Sequence, residues 1–376
     1  MKPKIAFYAP IKPPDHEIAS GDREIARLMV RALEASGYDV EIASRFIAYQ
    51  KRPSRELFEV RKQGAQDELE RLKSEWRKHS ETDRPSLWFT YHPYCKAPDW
   101  LGPAIAEEFK IPYVTAEACR TRQGTDADWA EARHQVQESV HHAVINFCLK
   151  QSDLAYLKSF MVDQRSIRPL APFVDLAELD ALTAEIEIPS FEANAPIVVA
   201  AGMMRPGTKT QSYLYLAAAL SRIADEAWNL VIIGDGPARS EVEAAFSWAG
   251  DGRIHWTGAV SRAEVLAWFD KGDIFAWPGL REAIGMVFME AQSRRLPVVA
   301  FDALGAPLVV QPDRTGLLTP ELDIDAYADA LKRLLNDAGL CAQMGEAARV
   351  NIAENHDISR AVRTFTNILG PMIGDR

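Results

Sequence analysis

The sequence predicts an α/β protein with two domains, each built on a parallel β-sheet. Short apolar runs alternate with segments of helical periodicity along the chain, which is the order of successive β-α-β units. A chain of 376 residues is long enough for two hydrophobic cores of ordinary size. Glycine, acidic, basic or histidine residues follow the predicted strands, at the sheet edge where open α/β sheets bind ligands.

The first β-α-β unit begins at the apolar run 4–8. A polar loop then leads through Ser20-Gly21-Asp22-Arg23 into a helix with one apolar face, which stops at Gly37, and residues 40–43 form the next strand. The loop lacks the G-x-G-x-x-G pattern, so a dinucleotide fingerprint is absent. A plain N-cap role for Ser20 or Asp22 is one interpretation of this loop.

Two further strands of the N-terminal half end in polar residues. Residues 50–82 are charged with alternating sign, which predicts one or two solvated helices. The strand 87–91 ends at His92, and the strand 112–115 leads to Glu117. A lone histidine usually has a structural role, but its place at a strand's carboxyl end makes His92 a site candidate.

The second half repeats the strand–loop–helix order. Residues 143–147 are read as a strand or a buried helix, and the acidic, aperiodic stretch 176–195 is predicted to be the linker. The strand 196–201 leads into a loop that carries Gly202, Arg205 and Lys209 before a helix predicted over 212–224. Glycine and two cations between a strand and a helix form a suitable phosphate cradle.

The stretch 273–301 has the most informative pattern. An apolar strand, 273–276, is broken at Pro278 and Gly279, a helix is predicted over 286–294, and 298–301 is the next strand. Glu282 and Glu290 are separated by seven residues. Glu290 lies in an apolar run, so its carboxylate needs a hydrogen-bond donor, either ligand hydroxyls or a group of the protein. Its side chain is expected to reach back over the helix's first turn, toward the amides of 285–287.

This stretch resembles the nucleotide-sugar site of family 4 glycosyltransferases, retaining enzymes of the GT-B fold. The family pattern is Pro-Ser-x-x-Glu-Gly-Phe-Gly-Leu, with a second glutamate eight positions after the first. The matching residues here are Pro278, Gly279, Glu282, Ala283, Ile284, Gly285, Met286 and Glu290. The resemblance implies that Glu282 and the neighbouring amides, including Val287, hold the donor sugar, and that Glu290 holds the ribose hydroxyls. The motifs SGDR and YHPYxKAPDW look like those of a bacterial subgroup of the family.

The resemblance extends to other strand ends. Gly21 takes the place of a Gly-Gly loop near the donor diphosphate, and Lys209 with Arg205 would neutralise the leaving diphosphate, although Met203 fills the usual arginine position. Family members often carry a histidine where this chain has Glu117-Ala118, so Glu117 or His92 would supply that role. The remaining implied donor-binding residues are Gly202, Gly234 and Gly236 of a Gly-x-Gly-Pro turn, and Val260 near the base.

The same resemblance implies the domain organisation. We expect a GT-B architecture, two Rossmann-like domains whose parallel sheets face each other across a cleft. Residues 1–180 would form the acceptor-side domain, 190–355 the donor-side domain, and a helix within 356–376 would cross back onto the first domain.

Composition excludes several functional classes. A formal net charge of −10 argues against nucleic-acid binding, which needs clustered Lys and Arg. The four cysteines lack metal-ligand spacing and suit a reducing compartment. The N-terminus does not have the pattern of a signal peptide, and no apolar run reaches membrane-spanning length. We therefore expect a cytoplasmic protein, with peripheral membrane contact through an amphipathic helix left open.

The predicted function is transfer of a sugar from a nucleoside-diphosphate sugar to a glycan, lipid or small-molecule acceptor, with retention. Lys209, Arg205 and the helix amides would stabilise the leaving phosphates, so neither a metal ion nor another cofactor is expected. Three alternatives remain: a glycoside hydrolase using Glu282 and Glu290, a sugar-nucleotide 2-epimerase of the same fold, and a catalytically silent protein that binds sugar nucleotides.

Overall fold

The strands predicted from apolar runs pair into two separate parallel sheets. A computed structural model describes residues 2–18, 20–119, 129–250 and 252–373. The chain divides into two compact units, one of Met1–Ala171 with Ile358–Arg376 and the other of Pro172–Asp357. No helix within the described ranges combines the length and the apolar character needed to cross a membrane.

The sheet of the first unit has the order β2-β1-β3-β4-β5-β6, and all its pairs are parallel. Its strands are β1 Lys4–Tyr8, β2 Asp39–Ser44, β3 Leu87–Tyr91, β4 Tyr113–Ala116, β5 Ile145–Cys148 and β6 Ile167–Pro169. The segment read as a strand or a buried helix is thus the strand β5. The direction of chain progression reverses between β1 and β3, which makes their carboxyl ends the topological switch point of this sheet.

Among the described residues, the helices between the strands of this sheet and just after β5 are α1 Gly21–Ala35, α2 Arg55–Trp76, α3 Gly102–Phe109, α4 Ala130–His142 and α5 Gln151–Lys158. Ser20 is the N-cap of α1, and its side chain accepts a hydrogen bond from the amide of Arg23 at 3.3 Å. The charged stretch 50–82 contains the single helix α2. Phe58, Leu69 and Trp76 are among the residues of its one buried stripe, while its other faces stay solvated.

The sheet of the second unit has the order β12-β11-β10-β7-β8-β9 and is also parallel. Its strands are β7 Ile197–Ala201, β8 Asn229–Ile233, β9 Ile254–Gly258, β10 Ile274–Ala276, β11 Val298–Phe301 and β12 Gly316–Thr319. The switch point of this sheet lies between β7 and β10. The helices are α6 Leu176–Ala181, α7 Thr208–Arg222, α8 Arg239–Ala245, α9 Arg262–Lys271, α10 Met286–Ser293, α11 Ala306–Val309, α12 Ile324–Leu335 and α13 Ala338–Asn355.

The predicted linker, 176–195, contains the helix α6, which is tied to the second unit by hydrogen bonds. Arg294 donates from Nη2 to the carbonyls of Leu179 at 2.5 Å and Leu182 at 3.0 Å. Arg349 forms an ion pair with Asp180 at 2.7 Å. The division between the units therefore falls at 171/172, ahead of the predicted linker.

The last helix, α14 Ile358–Ile373, belongs to the first unit. It packs against α1, and the fully buried Phe365 lies edge-on to Phe89 and Phe147, with ring centroids 5.9 and 5.2 Å apart. The first unit is thus completed by the end of the chain.

Candidate active site

The switch point of the second unit holds an ion pair. Lys209 lies in the first turn of α7, which begins at Thr208 rather than at the predicted residue 212, because Gly207 with φ +101° forms the N-cap. Its Nζ pairs with Oε1 of Glu282 in the loop after β10. The indole of Trp277 donates to the same carboxylate oxygen at 3.3 Å, and the Lys209 ammonium lies 5.4 Å from the ring centroid. Two sequence-predicted site residues are therefore in direct contact.

Buried aromatic rings hold this pair in place. Tyr213 of α7 packs edge-on against Trp277 with centroids 4.7 Å apart, and its hydroxyl donates to the carbonyl of Gly202 at 2.6 Å. A Cβ at Gly202 would lie 2.9 Å from the Trp277 ring, so a larger residue there would force the ring or the backbone to shift. The amide of Leu280 donates to the hydroxyl of Ser212 at 3.1 Å. The loop that carries Glu282 is thus fastened to the helix that carries Lys209.

Gly234 and Gly236 allow the loops after β7 and β8 to pack backbone against backbone. A Cβ at Gly234 would lie 2.0 Å from the carbonyl oxygen of Gly202, and one at Gly236 would lie 2.4 Å from that of Met204. Gly234 also has φ +138°, a conformation that L side chains rarely adopt. The two glycines therefore shape the loop that begins at Gly202.

The mouth of α10 adjoins Glu282. Gly285 is its N-cap with φ +80°, and a Cβ there would lie 2.8 Å from the carbonyl oxygen of Gly305. Met286 and Val287 are half-buried at the first two helical positions, where backbone amides have no partner inside a helix. Such a terminus attracts anions.

Glu290 accepts hydrogen bonds from a protein group. Nε and Nη2 of Arg262, the first residue of α9, donate to its Oε1 at 3.0 and 2.8 Å. Arg262 also lies 3.4 Å from a carboxylate oxygen of Glu178 on α6. The donor required by the sequence argument is therefore an arginine in this structure, and the carboxylate keeps 18% side-chain exposure.

The other predicted residues of this unit lie on the same edge of the sheet. Arg205 is exposed, and its guanidinium has no hydrogen-bond or ion-pair partner in the described part of the chain. Val260 directly precedes the N-cap of α9 and is half-buried. Ala283 is exposed and Ile284 is buried between Glu282 and the mouth of α10.

A second polar cluster occupies the switch point of the first unit. His92, with φ +58°, follows β3, and its two ring nitrogens lie 3.1 Å from Oδ1 of Asp22 and 3.3 Å from Sγ of Cys119. Gly21 is the first residue of α1, directly before Asp22, with open space around its Cα. The ring of His92 stacks on Tyr94 with centroids 5.0 Å apart. His92 therefore lies against the N-terminus of α1.

Glu117 is buried beside this group, also with positive φ at +58°. Its carboxylate accepts from Nζ of Lys150 at 2.5 Å and from the hydroxyl of Tyr91 at 2.8 Å. Lys150, which precedes α5, lies 3.5 Å from Oδ2 of Asp153. Left-handed backbone at two neighbouring strand ends is a form of strain that clusters at functional sites.

Mutual attraction sets the protonation of this cluster. Burial opposes the charge on His92, but the neighbouring Glu117 carboxylate, the Cys119 sulfur and the hydrogen bond to Asp22 raise its pKa well above 6.5. Burial by itself would raise the pKa of Glu117. The positive charges of His92 and Lys150 have the larger effect, so the pKa of Glu117 is lowered. Burial raises the pKa of Asp153 to about 6. An imidazolium flanked by carboxylates is therefore expected at neutral pH.

Several residues of these clusters were not found from the sequence. Lys150 lies just after β5, as His92 lies just after β3. Its position at the carboxyl end of a strand could therefore have marked it as a site candidate. Cys119 lies two residues beyond Glu117 and was read only as a scattered thiol. Arg262 was missed because the helix α9, with its Ser261–Glu264 capping box, was not predicted.

Residues 195–337 match the family model described as "Glycosyl transferases group 1". The chain contains a glycosyl transferases group 1 domain. That domain includes Lys209, Glu282, Arg262 and Glu290, and the match confirms the family resemblance found from the sequence.

Two relatives support the same assignment. An alpha-D-kanosaminyltransferase of Streptomyces kanamyceticus is 30% identical over 241 residues, which cover 62% of this chain and 61% of that protein. A GDP-mannose-dependent alpha-(1-6)-phosphatidylinositol monomannoside mannosyltransferase of Mycobacterium tuberculosis is 32% identical over 162 residues, covering 41% of this chain and 42% of that protein. The chain thus matches less than two thirds of the length of each.

Solved structures show the same fold. Sucrose-phosphate synthase from Thermosynechococcus elongatus superposes with a TM-score of 0.72 at 19% identity and covers 100% of both chains. HepE of Anabaena in complex with UDP superposes with a TM-score of 0.71 at 14% identity, covering 98% of this chain and 100% of that one. The predicted GT-B class, with two Rossmann-like domains on parallel sheets, is confirmed.

Proposed function

We propose that this protein is a retaining glycosyltransferase that moves a sugar from a nucleoside-diphosphate sugar to an acceptor. The observation that carries the proposal is the Lys209–Glu282 ion pair at the switch point, beside the mouth of α10, inside a glycosyl transferases group 1 domain. A cation, a carboxylate and free helix amides are the groups that a sugar diphosphate requires.

The ion pair gives each partner a defined task when the donor binds. Lys209 would exchange Glu282 for the diphosphate, and Glu282, still held by the Trp277 indole, would accept hydrogen bonds from the sugar hydroxyls. Arg205, exposed in the same loop, would supply a second positive charge. The charge that develops on breaking the sugar–phosphate bond would then be stabilised by Lys209, Arg205 and the amides of α10, without a metal ion.

Glu290 would hold the ribose hydroxyls, with Arg262 fixing its carboxylate. The backbone near Val260 would cover the base. For the role of the family histidine we prefer His92 to Glu117, because the His92 side chain is 14% exposed and that of Glu117 only 2%. With retention, the leaving phosphate would accept the acceptor's proton on the face from which it departs.

The relatives point to different donor bases, since one is named for its dependence on GDP-mannose and HepE was solved with UDP. A glycan, a lipid or a small molecule would serve as acceptor, and peripheral contact with a membrane is compatible with a lipid. The free cysteines suit a reducing compartment, in keeping with a cytoplasmic enzyme.

Binding of the donor is tested by thermal denaturation with UDP-, GDP- and ADP-glucose. A ligand that binds only the folded protein raises the midpoint, and we expect one base to do so. Glu290→Ala is expected to abolish this shift while the protein without nucleotide keeps its circular dichroism spectrum. A variant that still shifts normally would reject the ribose assignment.

Transfer is tested by incubating the stabilising donor with candidate acceptors and measuring nucleotide release and the anomeric configuration of the product. An α-linked product from an α-linked donor supports retention. Epimerised sugar nucleotide formed without acceptor would favour a 2-epimerase. Tight binding without turnover would favour a silent binding protein, an alternative suggested by Met203 at the usual arginine position.

A further inference from the structure

We propose that Cys119, His92 and Asp22 form a nucleophilic thiol triad, and that Cys119 is a site of covalent modification by soft electrophiles and hydroperoxides. The three side chains come from three different segments, the end of β4, the end of β3 and the start of α1. The imidazole bridges them, with Nδ1 at 3.1 Å from Asp22 Oδ1 and Nε2 at 3.3 Å from Cys119 Sγ.

The order of the contacts is the one that activates a thiol. A protonated ring donates from Nδ1 to the Asp22 carboxylate and from Nε2 to the sulfur. The thiolate is the nucleophilic form of cysteine, and a neighbouring imidazolium stabilises it. The raised pKa of His92 supports a proton on both nitrogens at neutral pH. Stacking on Tyr94 fixes the ring plane.

The cysteines differ in access. Cys119 is half-buried, whereas Cys95, Cys148 and Cys341 are buried. Burial raises the pKa values of the Cys148 and Cys341 thiols to about 12, so these two are inert at neutral pH. The chain therefore supplies its own unreactive controls.

Other ionisable groups face the triad and set its charge. They are Glu117 after β4, Tyr91 and Tyr94 around the end of β3, Lys150 and Asp153 at the start of α5, and Lys12 and Tyr49 near Asp22. Lys150 adds a second positive charge and is itself paired with Glu117 at 2.5 Å. The Glu117 and Asp22 carboxylates favour the protonated form of His92. The positive charges of His92 and Lys150 in turn favour a negative charge on the sulfur.

The reaction with hydrogen peroxide balances within the triad. The thiolate attacks one peroxide oxygen, an S–O bond forms and the O–O bond breaks. His92 gives its Nε2 proton to the departing hydroxide, which leaves as water. The sulfur is oxidised by two electrons to sulfenic acid and the peroxide is reduced.

The test is the pH dependence of alkylation by iodoacetamide, followed for each cysteine by peptide mass spectrometry on the folded full chain. An unperturbed thiol reacts about fifty-fold faster at pH 8.5 than at pH 6.5, because its thiolate fraction rises from about 1% to one half. For Cys119 we expect a change of less than about threefold. A fifty-fold rise at Cys119 would overturn the proposal.

Variants distinguish activation of Cys119 by His92 from reactivity that is due only to the exposure of Cys119. His92→Gln is expected to restore the steep pH dependence at Cys119, and His134→Gln, at an exposed histidine, to leave the profile flat. If His92→Gln fails to fold, Asp22→Asn replaces it, with the same expected direction. Trapping with dimedone after peroxide treatment should label Cys119. A steep wild-type profile, an unchanged profile in the folded variant, or no label at Cys119 would each contradict the triad.

Discussion

At the scale of single residues, the central feature is a charged pair whose partners are only partly buried. The side chains of Lys209 and Glu282 are 30% and 17% exposed. Ion pairs near the surface contribute about 0–1 kcal/mol to stability. The small contribution to folding is compatible with the proposed role of the pair in ligand binding.

Lys209→Met tests this interpretation. We expect the transfer rate to fall about 100-fold, because one charge that we propose stabilises the leaving diphosphate is lost, with the unfolding midpoint nearly unchanged. Lys332→Met is the matched control, since Lys332 also pairs with a glutamate, Glu226, at 2.6 Å on the surface. Equal rates in the two variants would argue against a role for Lys209 in the reaction.

The charge on His92 makes stability depend on pH. Its pKa is raised in the folded protein, so its contribution is fully present below the unfolded value of about 6.5 and is lost as pH rises through the folded value. We expect the free-energy difference of unfolding between wild type and His92→Gln to shrink as pH rises above about 6.5. Urea titrations at several pH values measure it. A difference that grows with pH would contradict the assigned imidazolium.

At the scale of elements, the proposed donor site depends on close contact between the loops after β7 and β8. Gly234→Ala is expected to cost about 1–3 kcal/mol for backbone strain alone, and its Cβ would also push against the Gly202 carbonyl at 2.0 Å. Nucleotide affinity should fall with stability, because the loop at Gly202 must move.

Gly207→Ala is the matched control for that substitution. Gly207 also has positive φ, +101°, but nothing lies within 4 Å of an added Cβ. Denaturant titration and nucleotide binding are measured on both variants. Comparing the two separates the effect of positive-φ backbone strain, which both share, from that of the clash with the Gly202 carbonyl, which only Gly234→Ala has. If Gly207→Ala weakens binding as much as Gly234→Ala, contact between the loops is not the cause.

At the scale of the whole molecule, the first unit is closed by a helix that is distant in sequence. Phe365→Ala should destabilise this unit by about 3–5 kcal/mol, the usual cost of emptying a buried phenylalanine site. Because Lys209, Glu282 and Glu290, which we propose hold the nucleotide sugar, lie in the other unit, nucleotide binding at low temperature should persist. Calorimetry should show two unfolding transitions, of which only that of the first unit moves to a lower temperature.

Phe269→Ala serves as the reciprocal control. Phe269 is fully buried in the second unit and packs on Phe275 with centroids 5.3 Å apart. Removal of its ring should lower the temperature at which the second unit unfolds and weaken nucleotide binding. A single transition that shifts equally in both variants would mean that the units unfold together.

The sequence by itself determined the alternation of strands and helices, the two-domain α/β class and the strand ends that carry polar residues. Apolar periodicity and glycine or proline breaks are local, so they can be read from neighbours in the chain. They drew attention to Lys209 and Glu290 and placed His92 and Glu117 after their strands, whereas the importance of Glu282 came from the family resemblance.

Only the tertiary structure decided which of these residues meet. The Lys209–Glu282 pair joins positions 73 residues apart, Arg262 reaches Glu290 across 28, and His92 contacts Asp22 across 70. Sheet order brings such residues together, and no local pattern in the chain encodes it. The state of each charge follows from those contacts and from burial, because the free energy of an ionised group depends on what surrounds it in space.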